Sequence, residues 1–252
     1  MDTKAYLLFR GQPWRRFVLL LSFCNRYHDL RVHLYDRSGG LVSPVFNIDK
    51  NPDMYLKVLA GIMFGGPQCL GYDSTVVFYD PISKIRIKEK FYNILHILFY
   101  SRGLTGRGTV CYLVELGGEE FIIKDHWVQE QDDTDILNEV EMLKWMQGVP
   151  GIPHLEDYWI VEREKGVPDS TGDFRFKHIQ STSHAFHAHI RLVLKPCACP
   201  LHQFQTKKEL LTALRDIICG KYSLNARANP LLIVSPLQHS HTCSIRSWCC
   251  AS

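Results

Sequence analysis

Residues 104–127 read LTGRGTVCYLVELGGEEFIIKDHW, and this stretch decides the fold class. Two β-rich runs, at 110–116 and 120–124, flank Gly117-Gly118, which predicts a β-hairpin with a two-residue turn. Gly106-Arg107-Gly108 precedes the first run, at a tip between two strands, where glycines let backbone N–H groups approach a phosphate closely. Lys124 ends the second run, and its ammonium can reach phosphate oxygens from there.

A helix is predicted after the hairpin. Thr134 or Asp135 can cap a helix that runs to about Met146. Glu139 lies on this helix, and its carboxylate is placed to hold the ammonium of Lys124. Glu141, two positions later, faces another side of the helix and is expected to be solvated.

An ordered set of motifs carries a resemblance to a known family. A Gly-x-Gly loop, a strand that ends in lysine and a helix with a glutamate form the N-lobe of protein kinases. The similarity includes residues 104–109 (LTGRGT), 123–127 (IKDHW), 148–153 (GVPGIP), 191–196 (RLVLKP) and 210–216 (LLTALRD), and upstream Arg15-Arg16-Phe17, residues 36–39 (DRSG) and Gly71-Tyr72-Asp73. Over residues 14–222 the chain resembles the fungal-type protein kinase domain.

The resemblance implies an α+β fold with a kinase-like N-lobe, which is a five-stranded antiparallel sheet plus one helix. It implies a β-rich region over residues 1–100, the N-lobe and hinge over 101–200, and the start of a helical C-lobe over 201–224. The implied activity is ATP-dependent phosphoryl transfer to Ser or Thr of an unknown protein partner. The residues implied to bind ATP are Gly106, Arg107 and Gly108 in the phosphate loop, Lys124 with Glu139, and Lys195 and Cys197 in the hinge against adenine.

The sequence departs from the family pattern in two places. Cys111 stands where the third glycine of Gly-x-Gly-x-x-Gly is expected. After the helix predicted from Lys207 to Tyr222, no Asp or Glu follows Asp216, so the catalytic base and the acids that hold Mg²⁺ have no counterpart. Asp173-Phe174-Arg175 is no substitute, because it lacks the glycine and precedes the hinge strand. We therefore expect no catalytic residues and no Mg²⁺, and an inactive chain.

Two other functions stay open at this point. The first is a truncated pseudokinase that acts as a nucleotide- or protein-binding module, and the missing acids favour it. The second is a zinc-binding protein that uses His184, His187, His189, Cys197 and Cys199. The spacing of these residues matches no standard closed zinc site, so the kinase and the pseudokinase hypotheses rank above the zinc-binding hypothesis.

The rest of the chain is read from its periodicity. Residues 14–47 predict a β-meander with a turn at 36–40, and 52–64 predict a helix that begins at a proline. Within residues 83–90, four basic residues (Lys84, Arg86, Lys88 and Lys90) alternate with Ile85, Ile87 and Glu89, which predicts one strand with a basic face. Further strands are expected near 156–162 and 190–195. Residues 225–252 hold two charges and no clear period, and they are predicted to be a disordered tail unrelated to the family.

Composition excludes several classes of protein. Lys and Arg number 29 against 26 Asp and Glu, which is too balanced to indicate a nucleic-acid or acidic-membrane partner. The longest apolar runs, 17–23 and 94–100, are far below the roughly 20 residues of a membrane helix. Nine cysteines without a signal-peptide layout indicate free thiols in a reducing compartment, so we expect an intracellular protein, cytoplasmic or nuclear.

Overall fold

The computed structural model describes residues 1–77, 82–130, 137–149, 152–175, 186–195 and 204–216. Strands dominate and helices are few, so the expected α+β class is confirmed. The predicted tail and the end of the helix expected to reach Tyr222 lie outside the described residues. Among the described residues, no helix is both long enough and apolar enough to cross a membrane.

The N-terminal part contains the predicted meander. Strands β1 (Phe17–Cys24), β2 (Asp29–Asp36) and β3 (Gly39–Val42) pair antiparallel in that order, and β4 (Phe46–Asn47) pairs with β2. A helix that the sequence did not predict, α1 (Asp2–Gly11), packs Ala5 and Phe9 against this sheet. The predicted second helix, α2 (Pro52–Phe64), is confirmed with a proline in its first turn, and none of its residues is buried.

The central sheet has seven antiparallel strands. They are β5 (Val76–Val77), β6 (Lys84–Ile87), β7 (Lys90–Tyr100), β8 (Val110–Leu116), β9 (Glu119–Gln129), β10 (His154–Ile160) and β13 (His187–Lys195). Their spatial order is β10-β13-β9-β8-β7-β6-β5. Two short strands, β11 (Glu162–Glu164) and β12 (Val167–Pro168), pair with each other outside this sheet. Four of the seven, β8, β9, β10 and β13, lie within the 101–200 range expected for a five-stranded N-lobe, and β5, β6 and β7 come from the chain before it.

The single strand predicted at 83–90 is wrong. The chain turns at Lys88 and Glu89, and β6 and β7 form a hairpin in which Ile87 pairs with Lys90. Lys88 has a φ of 53°, a left-handed conformation that lysine seldom adopts. Basic residues continue to recur at every second position through this turn, at Lys88 and Lys90, so the pattern could not reveal where the strand ended. The sheet thus contains strands from both sides of residue 100.

Each face of the sheet carries its own apolar core. One face holds β-branched and aromatic side chains that include Ile85, Ile87, Tyr92, Val110, Tyr112, Val114, Ile123, Trp159, Val161 and Val193. The other face receives helix α3 (Asn138–Trp145), through Val140 and Leu143. Because successive residues of a strand point to opposite faces, Ile122 and Lys124 lie on the helix side and Ile123 and Asp125 on the other side. This alternation fixes where each charged residue of β9 points.

A buried network of charges joins the N-terminal part to the sheet. The Arg191 guanidinium, fully buried on β13, donates to Asp73 at 2.5 Å and to Asp125 at 3.2 Å. Arg16 also pairs with Asp73, at 3.3 Å. The His189 ring lies between Asp125 and a second buried aspartate, at 2.5 and 3.0 Å. Buried charges are stable only when they are paired, so this network holds the two parts together.

Candidate functional site

The predicted lysine and glutamate meet on the helix face of the sheet. Lys124 Nζ lies 2.5 Å from Glu139 Oε1, and the two side chains are 5% and 9% exposed. The strand presents Lys124 because it alternates with the buried Ile123, and α3 presents Glu139 in its first turn, beside the buried Val140. Glu141 is half exposed and pairs with Lys144 instead, as the helical spacing predicted.

Glu139 gathers three nitrogen-bearing side chains. Besides Lys124, Arg107 donates from Nη2 to Oε2 at 2.7 Å, and His126 Nε2 lies 3.3 Å from the same oxygen. Burial opposes the charge of Glu139, but His126 and Lys124 outweigh it and hold the pKa of the carboxyl well below its usual range. Burial lowers the pKa of His126 to about 4, so its ring is neutral at pH 7. The site therefore combines two cations with one carboxylate.

The glycine-rich segment lies between β7 and β8. Gly106 and Gly108 have φ values of +89° and +50°, which glycine adopts without steric cost. The carbonyl of Arg107 accepts a hydrogen bond from the backbone N–H of Trp127 at 2.8 Å, which fastens the loop to β9. A side chain on Gly106 would meet open space, whereas a Cβ on Gly108 would fall on the guanidinium of Arg37. The loop is therefore held against Arg37 on one side and against β9 on the other.

Cys111, at the third glycine position, belongs to β8 rather than to the loop. It is buried, and its cross-strand partner on β9 is Lys124. It packs in the same apolar cluster as Val140 and Leu143 of α3. Cys111 thus lies beside Lys124 and packs with the apolar side chains of α3.

The predicted hinge residues are not brought to this site by the described part of the chain. Lys195, at the end of β13, donates to Glu119 at 2.6 Å and lies over the ring of Phe121, on the sheet face opposite Lys124. Cys197 lies outside the described residues. Of the predicted ATP-binding residues, the structure brings together Gly106, Arg107, Gly108, Lys124 and Glu139.

The sequence matches the family described as fungal protein kinase over residues 1–232. The chain belongs to the fungal protein kinase family. Its function is accordingly kinase-like, and the family match extends beyond residues 14–222 at both ends. Comparisons with curated proteins and with solved structures found no match. Protein kinases place the α/β-phosphates of ATP with a strand lysine that a helix glutamate holds, and Lys124 and Glu139 form an ion pair of this kind.

The hypothetical zinc ligands divide between described and undescribed residues. His184, Cys197 and Cys199 lie outside the described part. The Nδ1 atom of His187 lies 2.7 Å from the hydroxyl of Ser38, and both ring nitrogens of His189 contact carboxylates. The described histidines are thus engaged in hydrogen bonds within the protein.

A second group of side chains of the kind that bind metal ions lies in the buried network of charges. Asp73, Asp125 and His189 place potential ligand atoms within 4.8 Å of one another. Arg191 already bonds both carboxylates, so their negative charge is compensated. Burial opposes the charge of His189, but Asp125 outweighs it and raises the pKa of the ring to about 9. A protonated imidazole cannot bind a metal, so these residues do not suit a cation.

Sequence reasoning missed several residues around the site. Arg37, Asp125 and His126 lie within the family motifs without a predicted role, yet all three are buried. The signal was available in residues 122–127, where charged residues occupy both faces of an otherwise apolar strand. Asp173-Phe174-Arg175 also has a structural role, because Phe174 packs on Phe17 and Arg175 binds Asp36.

Proposed function

We propose that this protein binds ATP through its phosphates at Lys124, Arg107 and the glycine-rich loop. The observation that carries the proposal is the buried Lys124–Glu139 pair beneath that loop. A strand lysine that a helix glutamate holds is the arrangement with which protein kinases bind the α/β-phosphates of ATP. Membership of the fungal protein kinase family supports ATP as the nucleotide.

Arg107 adds the second positive charge. Its guanidinium is 45% exposed while it contacts the buried carboxylate of Glu139, so it can turn from that carboxylate toward a ligand in solution. Planar guanidinium groups bind phosphate through two parallel hydrogen bonds. Together the two cations and one carboxylate leave a net positive charge, which suits the polyphosphate of ATP.

We propose further that a polypeptide of this sequence binds ATP without transferring its phosphate. Phosphoryl transfer needs a carboxylate to accept the proton of the attacking hydroxyl and others to hold Mg²⁺. The sequence has no Asp or Glu after Asp216, and Glu139 is already engaged by Lys124 and Arg107. We therefore expect ATP to bind in EDTA as well as in Mg²⁺.

Thermal unfolding of the purified 252-residue protein with and without ATP tests this. At an ATP concentration of one hundred times Kd, the wild type should gain about 2.7 kcal/mol of stability. Lys124→Met should lose this gain, whereas Lys144→Met, which removes a half-exposed lysine from α3, should keep it. Equal stabilisation of all three proteins would refute ATP binding at Lys124. Transfer of labelled γ-phosphate to the protein or to a general substrate would refute the absence of catalysis.

A further inference from the structure

The glycine-rich loop is held by the turn between β2 and β3. Arg37, in that turn, donates from Nη1 to the carbonyl of Gly103 at 2.9 Å, and the carbonyl of Leu104 lies 3.4 Å from the same nitrogen. The carbonyl of Arg37 itself accepts the backbone N–H of Gly106 at 2.8 Å. One residue thus contacts the loop through its side chain and its main chain.

Gly108 fits this contact in a specific way. A Cβ at position 108 would overlap the Nε, Cζ and Cδ atoms of Arg37. At Gly106, by contrast, a Cβ would meet nothing within 4 Å. The glycine at 108 therefore makes room for the guanidinium of Arg37 beneath the loop, besides supplying a positive φ.

The turn that carries Arg37 is itself anchored firmly. The Arg37 guanidinium is 2% exposed and lies 4.3 Å from the ring centroid of Phe9 on α1. On one side, Asp36 forms a buried two-point ion pair with Arg175, at 2.5 and 3.1 Å. On the other, the hydroxyl of Ser38 lies 2.7 Å from the ring of His187 on β13. Burial lowers the pKa of Arg37 to about 10, which still leaves it charged at neutral pH.

These contacts hold the phosphate site in a closed state. The N–H of Gly106 is occupied by Arg37, so it is not offered to a phosphate. Lys124 is 5% exposed beneath the loop, and Arg107 is tied to Glu139. A phosphate can bind the N–H of Gly106 only when the bond from this N–H to the carbonyl of Arg37 is broken.

We propose that the β2–β3 turn is an autoinhibitory clamp on the glycine-rich loop, with Arg37 as the positioning residue. This inference rests on the proposed function, because the clamp regulates the same phosphate site. The glycine-rich loop cannot bind a nucleotide and keep its bonds to Arg37 at the same time, so the two interactions compete. Since such coupling is reciprocal, bound ATP also loosens the turn.

Calorimetric titration of the full chain with ATP and with adenosine tests the clamp. Arg37→Ala should bind ATP between about 5-fold and 150-fold more tightly than the wild type, the usual range of coupling between sites. Adenosine has no phosphate, so its affinity should not change. Arg31→Ala is the matched control, because it removes an equal charge from an exposed position of β2. Arg37→Ala binding ATP no more tightly than the wild type would overturn the clamp while leaving the proposed function intact.

Two further measurements keep the clamp falsifiable if Arg37→Ala folds poorly. In the wild type, saturating ATP should speed hydrogen exchange in the turn at 36–39, and added protection of that turn would overturn the proposal. Without nucleotide, Gly108→Ala should cost less stability in the Arg37→Ala background than in the wild type, because its Cβ then has no guanidinium to meet. If Gly108→Ala lowered the stability equally in both backgrounds, the contact between Gly108 and Arg37 on which the proposal depends would be refuted. Absence of ATP binding to both the wild type and Arg37→Ala would overturn the proposed function and the competition together.

Discussion

Replacing Glu139 by Gln should destabilise the protein strongly, because it removes the carboxylate that pairs with the buried ammonium of Lys124. The ammonium of Lys124 is 5% exposed, so water cannot take over the role of the carboxylate. Removing one partner of a buried ion pair typically costs about 3–5 kcal/mol. Gln has the shape of Glu and still offers one oxygen to the ammonium, so we expect the lower end, about 3 kcal/mol.

The other two neighbours of Glu139 add little to this cost. Arg107 is 45% exposed and can be solvated when its partner is lost. His126 is neutral at pH 7, so it loses a polar contact but no charge pair. The expected loss of unfolding free energy therefore comes from Lys124. Its magnitude tests how deeply the ammonium of Lys124 is buried.

Urea and thermal denaturation, followed by tryptophan fluorescence, measure the effect. For a chain of this size about 3 kcal/mol corresponds to a fall in Tm of roughly 6–12 °C. Glu141→Gln is the control, since Glu141 is half exposed and its pair with Lys144 should contribute less than about 1 kcal/mol. Similar losses in both variants, or a neutral Glu139→Gln, would refute the reasoning that Lys124 depends on a buried partner.

The effect also has a defined pH dependence. The pKa of Glu139 in the folded protein lies well below its usual range, so folding favours the ionised carboxyl. The stability that it contributes is therefore fully present above the unfolded pKa of about 4.3 and is lost as the pH falls below that value. The difference in stability between the wild type and Glu139→Gln should be constant from pH 7 to about 5 and should shrink toward pH 3.

Two further predictions concern the support of the site. The His189 pKa is raised to about 9 because Asp125 outweighs the effect of burial. The stability that His189 contributes should therefore be complete below about pH 6.5 and decline as the pH rises through about 9. Urea midpoints of the wild type should fall over that interval, and a His189→Gln variant with the same fall would contradict this. Gly71→Ala should cost about 2 kcal/mol or more, because Gly71 has a φ of +86° and its Cβ would overlap a carbonyl of β1. Gly61→Ala, in open space on α2, should stabilise the protein by up to about 1 kcal/mol, and a reversed order in urea denaturation would count against this packing.

Local patterns predicted much of the fold. The meander at 14–47, α2 and the β8–β9 hairpin follow from alternation, a proline at a helix start and a Gly-Gly turn. Lys124 and Glu139 could also be paired in advance, because a strand lysine and a helix glutamate at this spacing form a known combination. These predictions succeeded because each depends on chemistry within a few residues of the chain, or on a motif with a fixed geometry.

Other features depend on contacts between distant segments. Nothing near Arg37 in the sequence indicates that its side chain lies under a loop 70 residues away, since this requires the turn to be anchored at Asp36 and Ser38. Likewise, Lys88 adopts its left-handed conformation because hairpin pairing on both sides imposes it, against the preference of the residue. Tertiary pairing overrides local preference at both positions.

The buried charges explain why the N-terminal part and the sheet depend on each other. Arg191 is fully buried, and two aspartates neutralise it: Asp73 from the N-terminal part and Asp125 from β9. Without Asp73, Arg191 would keep Asp125, but Asp125 is also the partner of His189. Without the sheet, Asp73 would lose Arg191 and keep only Arg16 of these two partners. Since an unpaired buried charge costs several kcal/mol, either part alone would leave part of this network uncompensated. The Arg37 turn belongs to the same N-terminal part, so the element that closes the phosphate loop is held in place by the pairs that stabilise the fold.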